Sequence, residues 1–163
     1  MIEAFYAELQ AVMNEVPKKD IMFLLGDWNA KIGNDAYSNW KGICGQYSNT
    51  ETNERGYRLL EFAADNNLFV ANTIGPHKPS RIITWHSPNG LIHNQLDYIL
   101  VQKRFRSSVN INKTQCFPGA DVGSDHDSND EVQITTQENG EKTVLKITFR
   151  PAKAARQDHC TEV

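Results

Sequence analysis

Five consecutive large apolar residues, Ile21-Met22-Phe23-Leu24-Leu25, stand between the polar Lys18-Lys19-Asp20 and the segment Gly26-Asp27-Trp28-Asn29. A run this short and apolar at every position reads as a strand buried on both faces, which requires packing layers on both sides of a sheet. The chain turns polar at once afterwards, with Asp27 and Asn29 two residues apart just past the end of the run. Alternation along an extended chain predicts that both side chains point to the same side. Carboxylates at a strand end stay hydrated while the strand fixes their position.

Two further acidic segments follow in order, Gln95-Leu96-Asp97-Tyr98 and Gly123-Ser124-Asp125-His126. Asp97 falls inside a second strand-like run, Leu96 to Val101, and a carboxylate there must find a partner to offset its desolvation. Asp125 and His126 follow a Pro/Gly-rich turn from Cys116 to Gly123. A histidine held by a buried carboxylate is fixed in one tautomer and stabilised when protonated, so an Asp97–His126 pair would present a polarised donor. Such a set suits metal-assisted phosphoryl transfer, which needs an oriented water and charge compensation at phosphorus. Asp27 can orient or deprotonate the water, Asn29 can donate to the developing negative oxygen, and Asp125 can face a divalent ion. Each motif alone has a bland competitor, since Asp and Asn after strands are commonly turn formers and a lone histidine is commonly structural.

The rest of the chain alternates helix and strand. Phe5, Leu9, Val12, Met13 and Val16 recur at helical intervals, predicting a helix from Glu3 to Glu15 that stops before Pro17. Ala30 to Thr52 reads as a long loop. Asn53 is an N-cap for a helix whose apolar face is Leu59, Leu60, Phe62 and Ala63, ending at Asp65. Leu68 to Asn72 reads as a strand. Arg81 to His86 and Asn94 to Val101 read as a hairpin across Ser87-Pro88-Asn89-Gly90, where Asn-Gly supplies the backbone angles of a tight turn. Val132, Ile134 and Thr136, then Thr143, Leu145, Ile147 and Phe149, alternate in sidedness and predict a second hairpin. From Pro151 to Val163 the sequence reads as a frayed tail. Helices and strands together give a mixed α/β (α+β) class.

A chain of 163 residues with 39% hydrophobic content is long enough for one folded domain. The net charge of −3 gives no global basic signature, so attraction to phosphates must be local. Lys103, Arg104 and Arg106, with Lys113 beyond, form the best basic stretch and are the candidate nucleic-acid contacts; the competing reading is a solvated face beside a strand end. Trp28 and Trp85 read as packing near the site and Trp40 as a loop anchor. Cys44, Cys116 and Cys160 are an odd, widely spaced set, which favours free thiols in a reducing compartment over disulfides or zinc. No apolar stretch approaches membrane-helix length, and no signal region follows Met1. The expected location is the nucleus or cytoplasm, without secretion or a membrane.

The three acidic motifs in this order, with Asn53-Glu54-Arg55-Gly56, Asn72-Thr73, Thr84-Trp85 and Pro118-Gly119-Ala120-Asp121-Val122, resemble the C-terminal part of the endonuclease/exonuclease/phosphatase superfamily. The similarity runs from about Phe5 to His126 and is strongest to the endonuclease domain of non-LTR (LINE-type) retrotransposons. It implies part of a four-layer α/β/β/α sandwich of the DNase I-like type, and a Mg2+-dependent endonuclease, with Mn2+ the other candidate, that nicks DNA. By the same resemblance Asp27, Asn29, Asp97 and His126 are catalytic, and Asp125, Asp27 and Asn29 lie at the metal. Whether the proton leaves through Asp27 or through the Asp97–His126 pair stays open. Members of that superfamily carry an earlier strand with an asparagine, a glutamate that is the main magnesium ligand, and a tyrosine reaching the phosphate. None has a counterpart ahead of Met1, and Glu3, Glu8, Glu15 and Tyr6 fall on the first helix instead.

The implied layout is a partial endonuclease domain over 1-126, a divergent hairpin over 127-150 and a tail over 151-163, with the N-terminal half of the superfamily domain missing. Such a chain would be weakly active or inactive alone and would self-associate through uncovered apolar surface. The alternatives are a non-catalytic remnant serving as a scaffold or interaction module, and an abasic-site repair endonuclease, since fold does not fix substrate.

Overall fold

The amphipathic spacing at the start of the chain forms helix α1 (Ile2–Glu15), which turns Tyr6, Leu9 and Met13 inward. The computed structural model describes residues 2–48 and 51–110, with the backbone of two later strands, 132–139 and 142–149. A turn closed by the Asp20 N–H on the Pro17 carbonyl, 2.9 Å, leads into strand β1 (Ile21–Asp27). Helix α2 (Glu54–Asp65) begins at the expected cap, with the Asn53 side chain accepting from the Gly56 N–H at 2.8 Å. Strand β2 (Leu68–Val70), the short helix α3 (Pro79–Ile82), the two-residue strands β3 (Trp85–His86) and β4 (His93–Asn94), and strand β5 (Asp97–Gln102) follow. Strands β6 (Val132–Asn139) and β7 (Lys142–Phe149) form the predicted second hairpin, with Val132 opposite Phe149.

Five strands make one mixed sheet in the order β2-β5-β1-β7-β6, with β1 antiparallel to β5 and parallel to β7. Sidedness alternates along β1, β2 and β5. Met22, Leu24, Leu68, Val70, Tyr98 and Leu100 share one core with the inward faces of α1 and α2. The residues between them, Phe23, Phe69, Ile99 and Val101, gather on the other face with Ala71, Ile74, Phe105 and Val109. The helix-covered face holds most of the burial, and each large side chain sunk there contributes about 1.5–3 kcal/mol over an exposed position. On the second face Ile21, Phe23 and Leu25 are only partly buried, so β1 is sealed on one side and half-covered on the other. The α+β class expected from the sequence is the class observed.

Several local expectations need correction. Strand β1 continues through Gly26 to Asp27, because pairing with β5 supplies ladder partners beyond the apolar run. The segment from Ala30 to Thr52 is not plain loop: it carries a 3-10 helix (Asn34–Ser38) and sinks Ala30, Ile32, Ala36, Ile43 and Cys44 into the core. Strand β2 stops at Val70, and Ala71–Thr73 wind into a 3-10 turn. Arg81 lies in helix α3, and the hairpin shrinks to Trp85–His86 against His93–Asn94, while Asp97–Gln102 joins the main sheet. Its turn is not the two-residue type either. Pro88 sits in a turn closed by the Gly90 N–H on the Ser87 carbonyl, 2.8 Å, and only Gly90 takes a positive φ, 70°, a conformation that needs glycine.

Candidate active site

Antiparallel pairing of β1 with β5 sets Asp27, the last residue of one strand, directly opposite Asp97, the first residue of the other. Strict alternation puts both on the half-covered face, in line with Phe23 and Leu25 on β1 and with Ile99 and Val101 on β5. Two carboxylates thus meet at one end of the sheet. Burial raises the Asp27 carboxyl from its ordinary value, and the Asn29 N–H it accepts offsets this in part. Burial also raises Asp97, a hydrogen bond from Thr84 opposes the rise, and the charge on Asp27 adds to it. Charge on both carboxylates at once is disfavoured by their mutual repulsion.

The alternation expected to carry Asn29 to the same side as Asp27 does not continue past Asp27. The chain leaves the extended conformation after Asp27, and Asn29 adopts a left-handed backbone with φ 46°. Its N–H donates to Asp27 Oδ1 at 2.8 Å, an Asx-type turn that Asn tolerates better than most residues. Trp28 between them is buried as expected: its backbone N–H donates to the Leu96 carbonyl at 3.0 Å and its indole N–H to the Tyr98 carbonyl at 3.2 Å.

Three residues without an assigned role hold Asp97. Asn72, buried by the 3-10 turn after β2, donates its amide to the Asp97 carbonyl at 3.0 Å and accepts the Ile99 N–H at 3.1 Å, acting as a short stand-in for a neighbouring strand. Thr84 Oγ1 accepts the Leu96 and Asp97 N–H groups at 3.0 and 3.2 Å. The Tyr98 hydroxyl donates to the Gln95 carbonyl at 3.0 Å and accepts the Ile32 N–H at 2.8 Å, tying the segment after Asp27 to the one before Asp97. The sequence signal for the first two was their place in Asn72-Thr73 and Thr84-Trp85, two of the segments that carry the superfamily resemblance. Tyr98 carried no signal beyond its position next to Asp97.

The basic stretch is not brought to these carboxylates. Lys103, Arg104 and Arg106 form a 3-10 helix (Lys103–Ser108) after the far end of β5, about 20 Å from Asp97 at the usual strand rise. Arg104 donates to the Asp20 carbonyl at 2.8 Å, and Arg106 donates to the Gly42 carbonyl at 3.4 Å with its guanidinium over the Phe69 ring. Both arginines brace the fold at that end. Trp85, expected to pack, is 40% exposed. Trp40 packs at the edge of the helix-side core. Cys44 is a free thiol pushed up to about 11 by burial. Asp125, His126, Lys113, Cys116, Cys160 and the tail from Pro151 lie outside the described residues, and so does the Asp97–His126 pair.

Among the described residues no group of three or more His, Cys, Asp or Glu side chains converges on a metal position, and no helix is long and apolar enough to cross a membrane. Of the residues expected at a metal, Asp27 and Asn29 are described, and the Asp27 carboxylate would offer a hard oxygen ligand. That is compatible with Mg2+, which commonly binds through one or two carboxylates and keeps several waters.

No family model matches the chain, and no solved structure matches it. It is 44% identical over 122 residues, 75% of its length, to "Craniofacial development protein 2" of Tragulus javanicus, and equally to the protein of that name from Bos taurus. The matched region is 20% of each of those proteins, so the chain spans about a fifth of the length of the curated relatives it matches. Over three quarters of its residues, then, the chain is a homologue of one section of craniofacial development protein 2.

Proposed function

We propose that this chain carries the catalytic end of a metal-dependent phosphodiesterase of the DNase I-like type, a DNA-nicking endonuclease of the kind found in non-LTR retrotransposons. The observation that supports this reading is the register that sets Asp27 against Asp97 at the sheet end, with Asn29 tied to Asp27. Two partly buried carboxylates facing one another are destabilised by their own charge, and a hard dication relieves that. Asp27 and Asn29, with Asp125, would hold Mg2+, which when bound supplies positive charge against the phosphate oxygens. Asp27 orients the attacking water. The Asn29 amide donates to the oxygen that gains charge, and Asp97 fixes the tautomer of His126 so that the ring donates towards the phosphate. Thr84 and Asn72 keep Asp97 in place for that task. The half-covered face of β1 suits either a further layer of a longer polypeptide or a second copy of the chain.

A plasmid-nicking assay tests the proposal, run with this chain alone and with the chain preceded by the upstream segment that the superfamily resemblance implies. Nicking that needs Mg2+, stops with chelator and falls by orders of magnitude in Asp27→Asn and His126→Ala supports it. Chelator-resistant nicking, full activity in Asp27→Asn, or no nicking in either form would remove it; the last outcome leaves the non-catalytic scaffold as the reading.

A further inference from the structure

His86 and His93 are cross-strand partners in the short β3–β4 ribbon. Their Nδ1 atoms lie 2.6 Å apart, the ring centroids 4.7 Å apart, and the ring planes cross at 76°. Two imidazole nitrogens that close hold a proton between them, one ring donating and the other accepting, so both Nδ1 atoms are aimed at the same point. Both residues are exposed, and that point is open to solvent-borne ions. The ribbon fixes the pair from both sides. Below it the Thr84 N–H donates to the Asn94 carbonyl at 3.0 Å, and above it the Ser87 N–H donates to the Ile92 carbonyl at 2.9 Å while the Ile92 N–H donates to Ser87 Oγ at 2.9 Å.

The geometry points to a two-histidine clamp at His86 and His93 for a borderline transition-metal dication such as Zn2+ or Cu2+. Imidazole nitrogen suits these ions, whereas magnesium prefers oxygen, so the clamp is chemically separate from the carboxylates at Asp27 and Asp97. A zinc–imidazole bond is about 2.0–2.1 Å, and a tetrahedral angle between two such bonds separates the nitrogens by about 3.3 Å. From the present 2.6 Å the two exposed rings must swing apart and turn their Nδ1 lone pairs towards a common point beside the line that joins them. The metal takes the place of the shared proton. In the neutral pair the ring that carries its proton on Nδ1 shifts it to its own Nε2, so both Nδ1 lone pairs bind the ion and no net proton is released; an imidazolium would give up one. Water fills the remaining positions. The clamp closes on the ribbon that Thr84 opens, the residue whose hydroxyl bonds Asp97, and so stiffens the segment beside the carboxylates.

Isothermal titration of the full chain with Zn2+ in the presence of millimolar magnesium tests this. The expected result is one ion bound, with His86→Ala and His93→Ala each weakening affinity by at least about tenfold and the double variant losing little more, because both rings hold the same ion. Saturable quenching of tryptophan emission by Cu2+, lost in the same variants and reduced in Trp85→Phe, reports where the ion sits. His86→Gln and His93→Gln carry the same test should an alanine variant fail to fold by circular dichroism. Unchanged zinc affinity in either single variant would place the ion on other ligands, His77, His126, His159 or a cysteine thiolate, and overturn the clamp. Absence of zinc binding to the parent chain would overturn it as well.

Discussion

Replacing Asp97 by Asn should stabilise the fold while removing the group that the proposed chemistry needs. The structure opposes Asp97 to Asp27 across an antiparallel pair, where Cβ atoms lie about 5 Å apart. Two unit charges at that distance repel by about 0.8 kcal/mol in water and about 3 kcal/mol at an effective dielectric of 20. Both residues are partly open to solvent, which screens the pair and puts the expected gain near the lower end, about 1 kcal/mol. Asn keeps an oxygen for the Thr84 hydroxyl, so little bonding is lost. For a chain of this length the gain corresponds to a rise in Tm of about 2–4 °C. The sign against pH follows from the direction of the shifts. Both carboxyls are raised from the ordinary 3.8, so below that value folded and unfolded chains are protonated alike and the repulsion is absent. As pH rises through the interval between the unfolded and the raised folded value, the unfolded chain ionises first and the fold loses stability. Melting curves of parent and Asp97→Asn, followed by circular dichroism at about pH 7 and about pH 3, should therefore diverge only at the higher pH. A variant that melts at or below the parent near neutrality, or that keeps its full advantage in acid, would refute the charge-pair reasoning.

Other substitutions test the scaffold beneath the site. Tyr98→Phe should cost about 2–4 kcal/mol in urea unfolding, because it strips partners from the buried Ile32 N–H and Gln95 carbonyl without changing the ring. Gly56→Ala should lose about 1–3 kcal/mol despite the better helix propensity of Ala, since a Cβ there would meet the Lys31 carbonyl oxygen at 1.9 Å; a stabilised variant in a thermal melt would contradict the close approach. Asn53→Ala should cost about 1–2 kcal/mol by the same measurement, as Asn53 Oδ1 accepts both the Gly56 and the Lys31 N–H. Arg104→Ala should lower stability without a selective loss of DNA affinity if its role is the Asp20 carbonyl at the far end of the sheet, and filter binding beside a melt separates the two.

Elements whose signal is local were legible in the sequence. Helices α1 and α2 follow from apolar spacing, the Asn53 cap and the stop before Pro17, and β1 follows from five apolar residues in a row. The β6–β7 hairpin follows from alternation on either side of a polar turn. The segments Asn72-Thr73 and Thr84-Trp85 were visible as parts of the resemblance, yet nothing local revealed what Asn72 or Thr84 would bond. Strand pairing decided the rest. Opposition of Asp27 and Asp97 is a matter of register between segments seventy residues apart, and a register shift of one residue would have turned their side chains to opposite faces. The same pairing drew Asp97–Gln102 out of the expected hairpin and into the main sheet, because a strand apolar on both faces gains more between β1 and β2 than in an exposed ribbon. It also carried the basic run to the end of the sheet opposite the carboxylates. Side-chain type along the chain determined which groups this protein brings to the surface of a sheet; long-range pairing alone, set by burial of β1, determined which of them meet.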